Sequence, residues 1–283
     1  MNSKILILLL SSHKYPSPRN EISQINTWIK TAMERGLKVI NFIGGFDKVN
    51  LNNSYLELTS EDSIEAVGYK TLEAFEWVIN KTDYEYIFRV NSSSYVDIDR
   101  LITFINNLDT NNSNLNNLYC GKIVNLQMLD LNFISGSAIL FNRECIKKLV
   151  ENKELWNHSI IDDVALGLLC KELSILPHEG ELYHIKKLVY TDKNIKESYH
   201  YRCKLEEFGY PRYLESYNII FLHNYLKNGK INKLKINIIS LLFQFLKFIN
   251  IKHYLNKYIF MNRHLRNSLR NYKNKFLESF KND

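Results

Sequence analysis

The sequence predicts an α/β chain organised around a mostly parallel sheet, with a basic helical extension at its C-terminal end. Three observations lead there. Short β-rich runs alternate with helix-periodic stretches through the first two hundred residues. A continuous apolar run from Ile5 to Leu10 is six residues long, the length of a buried strand and too short for a membrane span. The 283 residues are 45% hydrophobic and 13% aromatic, enough to bury a substantial core and too apolar for a disordered chain.

In chain order, Ile5–Leu10 is the first strand, since no cleavage-site pattern follows that would make it a signal-peptide core. Further strands are expected at Lys38–Ile43, 86–90 and 133–141. Between the second and third, residues 64–79 carry Ala66, Tyr69, Leu72, Phe75 and Val78 at helical spacing, with Glu73 and Glu76 left for the outer face. An amphipathic helix therefore leads into the third strand. Asp99 stands before Leu101, Ile102, Phe104 and Ile105 and is expected to cap their helix, which gives way to the Asn-rich stretch NNLDTNNSNLNN, a surface loop. Helices are also expected from 143 to about 152 and from 163 to about 173, and the chain after Tyr213, lacking turn signals, reads mostly as helix.

The four cysteines, Cys120, Cys145, Cys170 and Cys203, are widely spaced without a CxxC pair and are expected as reduced, packed thiols. Charge divides the chain in two. Residues 227–283 hold 13 Lys and Arg against 2 Asp and Glu, whereas residues 1–226 hold 24 against 28. A body of 1–226 and a basic tail of 227–283 are the expected domains. The tail is rich in Ile, Leu and Phe, with Lys233, Lys235, Lys247, Lys252 and Lys257 between them and no uncharged stretch long enough to span a bilayer. It reads as an amphipathic helix lying on an anionic membrane or as a helix packed on the body. Its apolar content argues against a nucleic-acid partner.

Several segments, taken in order, resemble one family. DSIEAVGYKTLEAFEWV, YIFRVNSSSYVDIDRL, YCGKIV, FISGSAILFNREC, IIDDVALGLLCKELSI and SYHYRCK follow the motif series of the β-1,3-galactosyltransferase, β-1,3-N-acetylglucosaminyltransferase and Fringe family over the central 140 residues. NTW (Asn26 to Trp28) fits as well, although Ile25 replaces the usual Arg. The resemblance implies a glycosyltransferase A fold, a Rossmann-like mixed sheet flanked by helices, and inverting transfer of a sugar from a nucleotide-sugar donor, of the UDP class, to a glycan or glycolipid acceptor.

The resemblance also distributes roles. Asp163, beside Asp162 at a helix start, matches the family's general base; without the surrounding motif, two adjacent acids there read as an ordinary cap. Asn91, Ser92 and Ser93 stand where the family has its metal-binding Asp-x-Asp, and neutral ligands attract a divalent ion far more weakly than carboxylates. No metal or other cofactor is therefore expected. Asp97 and Asp99 fall at the family's Asn and at the helix cap. A metal-free transferase needs side-chain cations near the leaving diphosphate. His200, at the family's late His, with Arg202 and Lys204 at alternate positions, is one source; Arg89 and Lys70 are others, each alternatively a solvated surface charge. Ser11 and Ser12, at the end of the first strand, are expected to meet the donor. Asp62 matches a nucleotide-side acid, and Gly136 with Ser137 lies on the acceptor side.

Taken together, these readings describe a cytoplasmic enzyme, peripheral to the membrane, in surface polysaccharide or lipooligosaccharide assembly. The alternative is an inactive relative that keeps the fold to bind a glycan or a partner.

Overall fold

A computed structural model describes residues 4–14, 16–111, 116–188 and 195–228. The basic tail expected over 227–283 thus lies, apart from Lys227 and Asn228, outside the described residues. The first strand, β1 (Ile5–Leu10), is the floor of the core, with every residue from Ile5 to Leu9 at most 2% exposed. After it, α1 (Ser17–Gln24) begins behind Pro16 and holds Pro18 in its first turn, where a missing N–H leaves no helix bond unmade. A π-helical turn, Ile25–Ile29, interrupts the helix at Thr27 (φ −128°, ψ −105°) before α2 (Lys30–Glu34) resumes it. The Thr27 hydroxyl donates to the Ser23 carbonyl at 2.6 Å, a side-chain bond that competes with the regular ladder.

This first helical segment is inverted. In α1 the buried positions are polar, namely Ser17, Asn20, Glu21, Ser23 and Gln24, and Ile22 faces outward; beyond it Trp28, Ile29 and Ala32 are buried while Ile25 and Met33 stay exposed. Polar bonds hold it in place. Asn20 Nδ2 donates to Glu215 at 2.9 Å and Gln24 Nε2 to the Ser94 carbonyl at 2.8 Å.

Next come β2 (Lys38–Ile43), a hairpin of β3 (Asn50–Asn52) and β4 (Tyr55–Glu57), then α3 (Val67–Lys81) and β5 (Tyr86–Asn91). A short β6 (Ser94–Val96) and α4 (Ile98–Asn111) follow. The long hairpin β7 (Tyr119–Leu126) and β8 (Leu131–Asn142) leads to α5 (Arg143–Glu151) and α6 (Asp162–Glu172). The last described elements are β9 (Pro177–Glu179), β10 (Tyr183–His184), β11 (His200–Arg202) and α7 (Leu214–Asn228). Among the described residues, no helix is long and apolar enough to cross a membrane.

The sheet has eight strands in the order β3-β4-β2-β1-β5-β8-β7-β9, and β10-β11-β6 forms a smaller one. It is mixed. From β4 to β5 neighbouring strands run parallel, while β8 runs antiparallel to both β5 and β7. Helices α3, α5 and α6 cover one face, placing Phe75, Val78, Ile146, Leu149, Leu166 and Leu169 in the core. Phe75 meets Phe141 edge-on at 5.2 Å. Truncating such a side chain to alanine costs about 3–5 kcal/mol, because the cavity adds to the lost transfer energy. All four cysteines are buried free thiols.

Three local expectations change. Tyr69, placed by periodicity on the inner face of α3, is 50% exposed and stacks on His158 with 3.6 Å between centroids. Gly68 takes the inner position instead, since any Cβ there would lie 3.1 Å from His158 Nδ1 and 3.2 Å from Trp156 Nε1. At the start of α4 the cap is Asp97, whose carboxylate accepts from the Arg100 amide at 3.2 Å, while Asp99 lies in the first turn and pairs with Arg35. Finally, α4 runs on to Asn111 through half of the Asn-rich stretch; residues 112–115 lie outside the described residues.

Candidate functional site

Strand register brings the candidate residues to one edge of the sheet. Leu10 lies opposite Phe42 on one side and Asn91 on the other, so the chain just beyond β1, β2 and β5 emerges side by side. Val90 lies opposite Ala138, which puts Gly136 and Ser137 of β8 next to the same edge. Crevices at the carboxyl ends of parallel strands are where α/β sheets hold ligands. A cleft of about 310 Å³ opens there, lined by Ser11, Ser12, His13, Glu21, Phe46 and Tyr55 among others.

The cleft floor is a hydrogen-bonded network around the buried carboxylate of Glu21. It accepts from Ser11 Oγ at 2.9 Å, from Asn41 Nδ2 at 2.8 Å and from the Tyr55 phenol, whose pKa is raised by burial and by this carboxylate. The cleft wall is set by Asp62, which accepts from Ser12 Oγ at 2.9 Å and from the His13 amide at 2.8 Å. Behind Asp62 stands Lys70, 2.9 Å away and 2% exposed. Burial pushes the Asp62 carboxyl up, but the bonds from Lys70, His13 and Ser12 outweigh it and hold it below the ordinary value. Lys70 was expected to offer charge to a donor; buried against Asp62, it fixes the loop over residues 11–14 instead.

A second group forms where α6 begins. Asp162 and Asp163 occupy its first turn, with Ile161 as the N-cap residue. Asp163 Oδ2 accepts the Gly136 amide at 2.9 Å, and a Cβ on Gly136 would lie 3.1 Å from Asp163 Cβ and 3.2 Å from that oxygen. Glycine at 136 therefore admits the carboxylate. Burial raises the Asp163 pKa, and the neighbouring Asp162 charge raises it further, against the lowering pull of the Gly136 amide and Arg89. Arg89, buried on β5, donates to Asp162 Oδ2 at 3.0 Å, to the Gly136 carbonyl and to Thr71 Oγ1 at 3.4 Å. It clamps the acidic pair to β8 and is charge-balanced by Asp162.

The third group surrounds the turn after β5. Asn91 Oδ1 accepts from the Ser93 amide at 3.2 Å and from Ser94 Oγ at 2.9 Å, and Ser93 Oγ donates to the buried Glu215 at 2.9 Å. Asn91 Oδ1 holds the turn and Ser93 Oγ ties it to α7; neutral and already engaged, these oxygens fit a divalent cation poorly. No group of three His, Cys, Asp or Glu among the described residues is arranged to hold a metal ion. His200 is fully buried with Nε2 3.0 Å from Ser94 Oγ, and burial, aided by Arg202 and His184, pushes its pKa down to about 3. It is neutral at pH 7, so the expected cation is a hydrogen-bonding group. Arg202 pairs with Glu207 at 2.7 Å and Lys204 approaches the same carboxylate at 3.5 Å, so neither stands free as the alternating pattern suggested.

Four residues at this edge escaped the sequence reading. Glu21, Tyr55, Arg212 and Glu215 sit in stretches without a hydrophobic period to orient them. Arg212 reaches Glu215 at 3.1 Å and Ser93 Oγ at 3.4 Å, which puts a guanidinium at the turn. For Glu21, the recurrence of Asn20, Glu21 and Gln24 within one helical turn is the signal that a polar face is buried.

No family model matches the chain, and no curated protein sequence matches it. Among solved structures, the chain is similar to a glycosyltransferase involved in the glycosylation of the major capsid of PBCV-1, with 11% identity over 76% of this chain and 98% of that one and a TM-score of 0.47. It is also similar to the galactosyltransferase LgtC, solved with donor and acceptor sugar analogs, with 9% identity over 70% and 86% of the two chains and a TM-score of 0.42. The inositol-1-phosphate CTP transferase from T. maritima stands at 9% identity, 63% and 85% coverage and a TM-score of 0.42. With about one residue in ten shared, the chemistry of this edge has to be read from its own side chains.

Proposed function

We propose that the chain is an inverting glycosyltransferase of the A fold, moving a sugar from a nucleotide-sugar donor, a UDP-sugar, to a hydroxyl of a glycan or lipid-linked glycan in surface polysaccharide or lipooligosaccharide assembly. The observation that carries the reading is the seating of Asp163. A carboxylate whose pKa burial and Asp162 raise, oriented by the Gly136 amide and flanked by Arg89, is a stronger proton acceptor than an ordinary surface aspartate. The acceptor oxygen would bond to the anomeric carbon as its proton passes to Asp163. The bond from that carbon to the diphosphate breaks on the opposite face, and the electron pair leaves with the nucleoside diphosphate.

The cleft beside Ser11, Ser12 and His13 is the place for the nucleoside, and Tyr69 offers a half-exposed ring face on the side where α6 begins. The reaction is taken to run without a divalent ion, a reading supported by the engagement of Asn91 Oδ1 within its turn and of the Ser93 hydroxyl with Glu215. The tail, 227–283, would hold the enzyme on the cytoplasmic face of an anionic membrane.

A second reading, a fold kept for glycan or partner binding without chemistry, is favoured by one specific observation: Lys70, Arg89, Arg202 and Lys204 each lie against a carboxylate of the chain itself. A screen of nucleotide-sugar hydrolysis and transfer, run in EDTA and in Mn²⁺, separates the two. Turnover of one donor that persists in EDTA supports the first reading. Turnover of no donor, with glycan binding intact, establishes the second, and turnover only in Mn²⁺ removes metal independence.

A further inference from the structure

We propose that the outer face of α1 and α2, with the adjoining flank of α7, is a docking surface for an anionic lipid bilayer. The proposal concerns the folded body rather than the tail, and it does not depend on the chemistry of transfer. Surface helices normally turn their apolar stripe inward. In α1 the buried side is polar and hydrogen-bonded, and although Trp28, Ile29 and Ala32 are buried farther along, bulky apolar residues recur on the outside of both helices: Ile22 is 62% exposed, Ile25 45% and Met33 68%. Single exposed apolar side chains need no explanation, but a row of them on one helical face marks an interaction surface.

The neighbouring helix extends the row. Arg19 Nε donates to Ser216 Oγ at 3.2 Å and Lys227 Nζ to Thr31 Oγ1 at 3.2 Å, so α7 runs beside α1 and α2 in the same direction. Ile220, 38% exposed, lies one helical turn beyond Ser216 on that flank. Charge chooses the occupant. Arg19, Lys30 and Lys227 are exposed around the apolar row, Glu34 is the exposed acid on α2, and Arg35 is already paired with Asp99. A second copy of the same face would bring these cations against one another, whereas anionic headgroups complement them and the acyl boundary receives Ile22, Ile25 and Met33. Continuity points the same way, because the chain passes from Lys227 directly into the stretch that carries all of its excess positive charge.

The test is co-sedimentation of the full chain with vesicles of phosphatidylserine and phosphatidylcholine, at low and high salt, for the wild type and for the double variant Ile22→Asp, Met33→Asp. Both side chains are exposed, so an unchanged melting temperature is expected and certifies the fold. Binding that survives high salt should fall roughly tenfold or more in the double variant, as expected when two large apolar side chains lose their burial. Ile64→Asp, an exposed apolar residue outside this face, should bind as the wild type does. Wild-type affinity in the double variant overturns the proposal, as does a wild type that ignores anionic vesicles. A lipid-free dimer that the double variant splits into monomers overturns it too, by assigning the face to a second copy. Failure of the glycosyl-transfer reading would appear in the donor screen and leave the vesicle result unchanged.

Discussion

Replacing His200 with Gln should flatten the dependence of stability on pH between neutrality and pH 5. The imidazole is fully buried, its Nε2 bonded to Ser94 Oγ, and its pKa lies at about 3 against an ordinary 6.5. Between those values the unfolded chain binds a proton that the folded chain refuses, so stability rises with pH through the window and is lost as pH falls through it. From pH 7 to pH 5 the unfolded state gains about 1.4 units of protonation free energy in pH terms, or about 2 kcal/mol, from this one group. Burial also lowers His158, His184 and His223, so the wild-type slope contains their contributions as well. The difference between wild type and His200→Gln isolates His200, because Gln keeps a polar partner for Ser94 and does not titrate. Urea unfolding at the two pH values, with equal m-values, supplies the numbers. An equal pH-dependent loss in both proteins, or an NMR titration of His200 near 6.5, would refute the buried neutral imidazole.

Asp163→Asn should lower turnover by roughly 10²-fold or more while donor binding persists, and near-normal turnover would move the base elsewhere. Since burial and Asp162 raise the Asp163 pKa, the acid limb of the wild-type rate profile should lie above the ordinary Asp value of 3.8, and Asp162→Asn should shift it to lower pH. Gly136→Ala should cost on the order of 1–3 kcal/mol by crowding Asp163, visible as a lower melting temperature, and should reduce transfer more than nucleotide affinity. Asp62→Ala leaves Lys70 buried and unpaired; a loss of about 3–5 kcal/mol is expected, together with weaker nucleotide binding by calorimetry as the loop over 11–14 loses its anchor.

The strands most legible in the sequence were those whose burial on both faces makes them rich in apolar and β-branched residues. Ile5–Leu10 and Lys38–Ile43 come out with the expected ends, and the segments at 86–90 and 133–141 grow by one to three residues. Strands of two or three residues, such as Asn50–Asn52 and His200–Arg202, carry too short a pattern to announce themselves and exist through pairing with distant chain. Periodicity misplaced Tyr69 because it counts apolar positions without asking what lies beneath them; Trp156 and His158 fill the space that would have received the ring. The acidic start of α6 was visible from Asp162 and Asp163 alone. What was invisible was pairing: no spacing rule reveals that Lys70 answers Asp62, that Arg89 answers Asp162, or that Glu207 takes up Arg202.

The four cysteines have a practical consequence for the bench. Each is at most 1% exposed, and burial pushes the thiols of Cys120 and Cys145 up to about 12 and those of Cys170 and Cys203 higher than ordinary as well. The thiolate is the form that reacts with maleimides and other alkylating probes, and it is scarce and shielded at all four positions. A single cysteine introduced at an exposed site such as Met128 or Leu176 can therefore carry a fluorophore or spin label in the otherwise native chain, without first stripping out the natural thiols and repacking the core they fill.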